Sequence, residues 1–252
     1  MRALIVGYGT VGRNLGRRLS PIGPDVYDKY EGIRSYGGSY DVAFVCVDTP
    51  LVDGRLDTTE VESAISENDA DVFVVKSTVP VGTTSRLRSE TGKRVVFSPE
   101  YYGSTQHANC LDFDFTILGG QRDDCALVIQ LLQEVYDGRH KFRITDPETA
   151  ELAKLMENAW IATKVSFCNQ MYDIAGSEGV CYEELRELFL MDGRVGPSHT
   201  FVYRNRPYWD SHCLNKDVPA LATAYDAPLI REVVRFNESR KRDNHERGCC
   251  NI

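Results

Sequence analysis

The run Ser211-His212-Cys213-Leu214-Asn215-Lys216-Asp217 holds the residues best suited to covalent chemistry. A helix beginning near Cys213 turns its first amides and its dipole toward the thiol, which lowers the thiol pKa and favours the nucleophilic thiolate. Asp217, four residues on, comes round to the same side and can handle a proton, and Lys216 adds a positive charge. A thiolate so placed attacks a carbonyl carbon. The bland alternative is a small buried hydrophobe, as most of the other cysteines here read. His212 is a poor partner for a Cys–His dyad, because adjacent side chains on a helix diverge. Lys154 and Asn158 are also four apart, within a helical pattern, so an ammonium and an amide point the same way and can stabilise a developing oxyanion. A solvated helix face is the alternative there, with Glu151 and Glu157 nearby.

A second group of residues points to a dinucleotide. Gly7, Gly9 and Gly12 in GYGTVG, with Thr10 and Val11 between them, follow the strand-like run ALIV and open a helical segment. Such glycines give a tight turn, close approach to a pyrophosphate, and close packing of helix on strand. Asp28 stands 21 residues after Gly7, where a carboxylate accepts from the adenosine ribose hydroxyls. It repels a 2′-phosphate and favours NAD over NADP, although Lys29 and the arginines at 13, 17 and 18 soften that repulsion. Pro50 and the Ser77-Thr78-Val79-Pro80 stretch sit just past strands, at the edge that would line the nicotinamide.

These residues need a frame. From Ala3 to about Arg143 the runs ALIV, VAFVCV, DVFVV, RVVF and FTIL alternate with amphipathic stretches, the layout of βαβ units with buried parallel strands. Near Thr145 the texture changes. Thr145 and Glu148 have capping-box spacing, Pro147 suits a first turn, and one helix of about 29 residues is expected to end before Gly176, unless it breaks near Thr163. Leu152, Leu155, Met156, Ala159, Trp160, Thr163 and Phe167 make one side of it apolar, so it carries a domain junction or a subunit interface. Helices are predicted over 182–190 and 228–236, with an irregular segment between them, and the charged end is predicted to fray. The fold class is α/β, a Rossmann-type parallel sheet followed by a long helix and a small, mainly helical domain. The domains are 1–144 and 145–240, with a tail over 241–252.

Composition narrows the partners. The 252 residues carry a formal charge of −8, the wrong sign for a phosphate-neutralising nucleic-acid binder. No apolar run approaches the roughly 18 residues of a membrane span. No secretory signal is visible, and eight cysteines without a CxxC pair suit a reducing compartment, so a cytoplasmic location is expected. The five histidines show no metal-site spacing, and no metal is expected.

In order along the chain, GYGTVG, CVDTP, KSTVPVGT, SPE, AELAKLMENAWIATKVSFCNQM, DGRVG and CLNKD resemble the nucleotide-sugar 6-dehydrogenases, the UDP-glucose and GDP-mannose dehydrogenases. The resemblance runs from residue 1 to about 240. It implies NAD-dependent oxidation of a sugar primary alcohol to a carboxylate by two hydride transfers through an enzyme-bound thioester. It makes Cys213 the nucleophile, Lys154 and Asn158 the oxyanion donors, Asp217 the carboxylate that positions water with Thr78, and Glu100 an acid/base in thioester hydrolysis. It also places Tyr101, Tyr102 and Arg194 at the substrate, Arg194 reaching across a homodimer built on the helix from Pro147 to about Ala175.

Three departures stand out. The chain ends before the family's third region, which grips the sugar's nucleotide. The family's GYGGSC is here YWDSHC, bringing bulky side chains near Cys213, and its FLREG after SPE is YYGST. A smaller sugar substrate is therefore compatible with the resemblance. Two rivals remain: a two-electron dehydrogenase of β-hydroxyacid type using Lys154 and Asn158, and an inactive NAD-binding remnant or partner-binding protein.

Overall fold

The computed structural model describes residues 1–34, 37–101 and 113–249. The chain divides into two compact units, Met1–Val52 with Leu56–Lys154, and Asp53–Arg55 with Leu155–Ile252. The division falls ten residues beyond the boundary expected at 144/145, inside one continuous helix.

The first unit holds β1 (Ala3–Val6), β2 (Asp25–Tyr27), β3 (Tyr40–Val45), β6 (Ala70–Val75), β7 (Val95–Phe97), β8 (Phe115–Gly119) and β9 (Lys141–Thr145) in one sheet of order β2-β1-β3-β6-β7-β8-β9. Neighbours are parallel except β7 and β8, which pair antiparallel. Strand alternation builds a core on each face. Ala3 and Ile5 of β1 pack with Leu15 of α1 (Thr10–Arg18) and Val128 of α4 (Arg122–Leu132). Leu4 and Val6 pack with Val61 of α2 (Thr59–Glu67) and Leu87 of α3 (Thr83–Thr91). The sheet is thus covered on both faces, which is why its strands read as unbroken apolar runs. Strand order reverses between β1 and β3, so the carboxyl ends of those two strands flank the crevice where open α/β sheets take ligands.

Two strand features escape the apolar pattern. Lys141 and Arg143 leave β9 looking polar, because it is a largely exposed edge. β4 (Leu51–Val52) and β5 (Arg55–Leu56) form a two-stranded hairpin whose turn residues, Asp53 and Gly54, have φ of 49° and 75°. The Asp-Gly pair was the available signal.

Helix α5 (Pro147–Ser177) is unbroken through Thr163 and Gly176. Its cap is Asp146 rather than Thr145: the Asp146 carboxylate accepts the Thr149 amide at 2.7 Å and the Thr149 hydroxyl at 2.8 Å, while Glu148 turns to the Ser85 hydroxyl. The expected apolar stripe divides into two faces. Leu155 and Ala159 are buried, whereas Leu152, Met156, Trp160 and Phe167 are exposed.

The second unit adds α6 (Tyr182–Phe189), α7 (His212–Ala224) and α8 (Pro228–Cys249), with Ala162, Trp209, Leu214, Val218 and Val233 as its core. The frayed tail is corrected, since α8 stays helical to Cys249. Polar anchors fix it in place of an apolar stripe: Arg240 bonds Asp173 and the Pro207 carbonyl, and Lys241 pairs with Asp210 at 3.2 Å.

Candidate active site

In the first unit, β1 delivers the chain into the glycine turn. Gly7 has φ of +92°, and a Cβ there would lie 2.7 Å from the Cys46 carbonyl oxygen. A Cβ on Gly12 would come within 2.0 Å of the Gly7 carbonyl oxygen, so both glycines are required by close approach. Gly9 caps α1 without a side-chain acceptor, and a Cβ on it would meet nothing within 4 Å. An uncapped helix start with open space above it fits a pyrophosphate. Thr10 begins α1, and Val11 packs on the core beneath the turn.

Asp28 follows β2 as expected. Its Oδ2 accepts the Tyr8 amide at 2.6 Å, and its Oδ1 accepts the amides of Tyr30 and Glu31 at 2.9 and 3.0 Å. Burial works to raise its pKa, but these amides and the Arg13 charge outweigh it and hold the carboxyl below its ordinary value. Asp28 therefore stays ionised and ties the glycine turn to the end of β2. The softening expected from Lys29 is not available, because its ammonium lies 2.7 Å from Glu60.

The segments after β3 and β6 are tied together through their backbones. The Ser77 hydroxyl donates to the Val47 carbonyl at 2.6 Å, and the buried Thr49 donates to the Thr78 carbonyl at 2.7 Å. Thr49 was missed, and so was Lys76, a charged residue at the end of an apolar strand run. Its ammonium lies 3.4 Å from Glu100 Oε2 and donates to Ser98 Oγ at 3.2 Å, while Glu100 Oε1 accepts the Tyr101 amide at 2.8 Å. Glu100 is thus held by one ammonium and one amide. Pro50 is exposed, its carbonyl accepting the Asp57 amide.

Glu151 departs furthest from expectation. It is fully buried, and its carboxylate accepts the Gly82 amide at 2.6 Å, the Thr84 amide at 2.8 Å and the Thr84 hydroxyl at 2.6 Å, capping α3 from α5. One turn on, Lys154 is 7% exposed, with its ammonium 4.8 Å from the centre of the Tyr101 ring. The solvated-face reading of this helix fails at both residues. Tyr102 lies outside the described residues.

In the second unit, Asn158 is 5% exposed and donates from Nδ2 to Asp217 Oδ2 at 2.6 Å. The other Asp217 oxygen accepts the Lys216 ammonium at 2.8 Å. Cys213 stands one turn before Asp217 in the first turn of α7, with its side chain exposed. Ser211 caps that helix, accepting the Leu214 amide at 3.2 Å. Asp210 accepts from Asn215 at 2.8 Å, and Lys241 bonds both. Asn215, then Lys241, hold the Asp210 carboxyl below its ordinary pKa against the effect of burial. The bulk expected beside Cys213 is partly withdrawn: Trp209 packs in the core, its indole donating to Ser166 at 3.1 Å and its backbone bonded to Asn237. Arg194 is 90% exposed and pairs with Asp192 within its own turn.

The described cysteines sort by environment. Burial pushes the Cys46 thiol up to about 12 and the Cys125 thiol up to about 11, and Cys168 is buried too. Cys213 and Cys181 are exposed, but the Cys181 thiol is engaged, donating to the Glu183 carboxylate at 3.3 Å. In the native protein near pH 7.5, iodoacetamide will modify Cys213 first and Cys181 more slowly, and spare Cys46, Cys125 and Cys168. Peptide mapping by mass reads the order.

Sheet topology, the glycine turn at the switch point and the Asp28 carboxylate define a dinucleotide-binding protein of the Rossmann class. Residues 33–140 match the NAD binding domain of the UDP-glucose/GDP-mannose dehydrogenase family, and residues 148–239 match its central domain. The chain belongs to this family, and the cofactor of its first domain is NAD. It is 31% identical over 227 residues to UDP-glucose 6-dehydrogenase of Rhizobium meliloti, a match covering 80% of this chain and 51% of that one. The chain thus spans about half the length of that relative. Among solved structures, a UDP-glucose dehydrogenase from Pyrobaculum islandicum superposes with a TM-score of 0.78 at 23% identity, over 94% of this chain and 68% of that one. A 3-hydroxyisobutyrate dehydrogenase from Mycobacterium tuberculosis shares the fold at 15% identity, with a TM-score of 0.67 over 96% of this chain and 94% of that one. Among the described residues, no helix is long and apolar enough to cross a membrane.

Proposed function

We propose that the protein oxidises the primary alcohol of a sugar, a nucleotide sugar or a smaller relative, to a carboxylate in two NAD-linked steps with Cys213 as nucleophile. The observation that carries this reading is an exposed thiol in the first turn of α7, one turn from a carboxylate fixed by Asn158 and Lys216. NAD, when bound on the Gly7–Gly12 turn, supplies the hydride acceptor for both oxidations.

The chain's own residues do the rest. Cys213 sulfur forms a bond to the aldehyde carbon, whose carbonyl electrons move onto oxygen as an oxyanion. Lys154 and Asn158 meet that charge with buried donors, which count for more than the same groups in water. Loss of hydride from the carbon leaves a thioester on Cys213. Water then attacks with Asp217 or Glu100 taking its proton and Thr78 orienting it, the carbon–sulfur bond breaks, and the sulfur leaves as the thiolate that began the step.

A homodimer completes the proposal. Leu152, Met156, Trp160 and Phe167 recur at helical spacing on the exposed face of α5, an apolar strip that a monomer leaves in water, and the exposed Arg194 serves a partner's substrate. Sedimentation at micromolar concentration will show a dimer, and Trp160→Glu will give a monomer. A wild-type monomer contradicts this arm. We place the protein in the cytoplasm, a reducing compartment that would keep its five described cysteines as the free thiols they are.

The rival is a single oxidation at the Lys154/Asn158 pair, favoured at the level of fold by near-complete coverage of the 3-hydroxyisobutyrate dehydrogenase. Counting NADH against UDP-glucose, GDP-mannose, free hexoses and hexose phosphates separates the two. Two NADH per alcohol consumed supports the proposal, and one supports the rival.

A further inference from the structure

We propose that Glu60 sets the cofactor preference of this chain by occupying a cation and a hydroxyl that would otherwise receive a 2′-phosphate. The inference rests on Asp28 as the ribose-binding carboxylate. Residues 28–33 form a closed turn, with the Asp28 and Ile33 backbones exchanging hydrogen bonds of 2.9 Å in both directions. The Asp28 carboxylate gathers the Tyr30 and Glu31 amides into the same turn, so Lys29 and Tyr30 belong to its wall.

Both side chains are turned to one carboxylate on another element. Lys29 Nζ lies 2.7 Å from Glu60 Oε2, and the Tyr30 hydroxyl donates to Glu60 Oε1 at 2.9 Å, with the ammonium 5.1 Å from the Tyr30 ring centre. Glu60 sits in the first turn of α2, where the helix dipole favours a negative charge. Arg13 faces Glu31 at 3.5 Å in the same way. The two pairs cancel, which leaves the single negative charge of Asp28 to dominate the turn. A ribose hydroxyl finds an acceptor there, whereas a doubly charged 2′-phosphate finds no uncompensated cation among these groups. Without Glu60 the same turn would offer an ammonium and a phenol, a donor set suited to phosphate. On this view selectivity lies in Glu60, a residue outside the glycine turn and outside the turn that follows β2.

Isothermal titration of the full chain with NAD+ and NADP+ tests this in the wild type, Glu60→Gln, and Glu60→Gln with Lys29→Met. The ratio of Kd for NADP+ to Kd for NAD+ is expected to fall about tenfold in Glu60→Gln, as a charge-assisted contact forms. It should recover when Lys29 is also removed, and the gain should shrink in high salt, because these groups are partly exposed. An unchanged ratio in a folded Glu60→Gln chain, or a fall that survives loss of Lys29, overturns the proposal. NAD+ binding with an unchanged ratio removes the role of Glu60 alone. Failure of every form to bind either dinucleotide removes the ribose-site reading and this proposal with it.

Discussion

Cys213→Ser will lower production of the carboxylate by at least about a thousandfold while the fold and NAD binding persist, the scale on which loss of a covalent nucleophile acts. Cys213 is exposed in the first turn of α7, and the cap of that turn comes from Ser211, so the substitution leaves the helix cap and the buried core in place. What it removes, on the proposed mechanism, is the sulfur that would hold the aldehyde between two oxidations. Serine, with its much higher pKa, supplies no comparable nucleophile at neutral pH. Under the same proposal the first oxidation would need only Lys154, Asn158 and the cofactor, and should survive as slow release of aldehyde, trapped by hydroxylamine and counted as one NADH. Full activity in Cys213→Ser would leave the thiol incidental and favour the two-electron rival.

Glu151→Ala will destabilise the protein by about 3 kcal/mol or more, since each buried donor left without an acceptor costs about 1–3 kcal/mol. Three donors, the Gly82 and Thr84 amides and the Thr84 hydroxyl, lose their acceptor together, two of them at the start of α3. Thermal or urea unfolding reads the loss, and a change within about 0.5 kcal/mol, the size of an ordinary surface substitution, would show that the cap contributes little.

Glu151 also gives a pH signature. Burial pushes its pKa above the ordinary 4.5, although the three donors pull it back. A carboxyl raised on folding binds its proton more tightly in the native state. Its linked stability is therefore complete below 4.5 and is lost as pH rises through the raised value. Wild-type stability should decline across that window relative to Glu151→Gln, which has no proton there to lose. Parallel profiles for the two proteins would refute the linkage.

Much of the frame was legible because it depends on local pattern. Strands buried on both faces read as β-branched runs, the glycine turn is fixed by sterics at Gly7 and Gly12, and α7 begins at His212, beside Cys213. The misses share a cause, in that each depends on a partner distant in sequence. Glu151 looked like a sign of a wet helix face, but its donors lie 67 to 69 positions upstream. Leu155 and Met156 looked like one apolar stripe, and only the folded chain shows that the first is covered and the second is not. The end of α8 looked frayed because its anchors, Asp173, Pro207 and Asp210, lie on other segments. The cap of α5 slipped by one residue because Thr145 and Asp146 are both good caps, and spacing alone favoured the first.

The central claim is that Cys213 carries the substrate carbon between the two oxidations. Turnover with NAD+ and UDP-glucose, GDP-mannose or whichever alcohol from the substrate panel is consumed, stopped in acid and followed by digestion and peptide mass analysis, looks for that bond. The account predicts the sugar acyl mass on the peptide containing Cys213, removed by hydroxylamine and absent from Cys213→Ser. Steady formation of carboxylate with two NADH per alcohol, while Cys213 stays unmodified and its serine variant keeps pace, would contradict it.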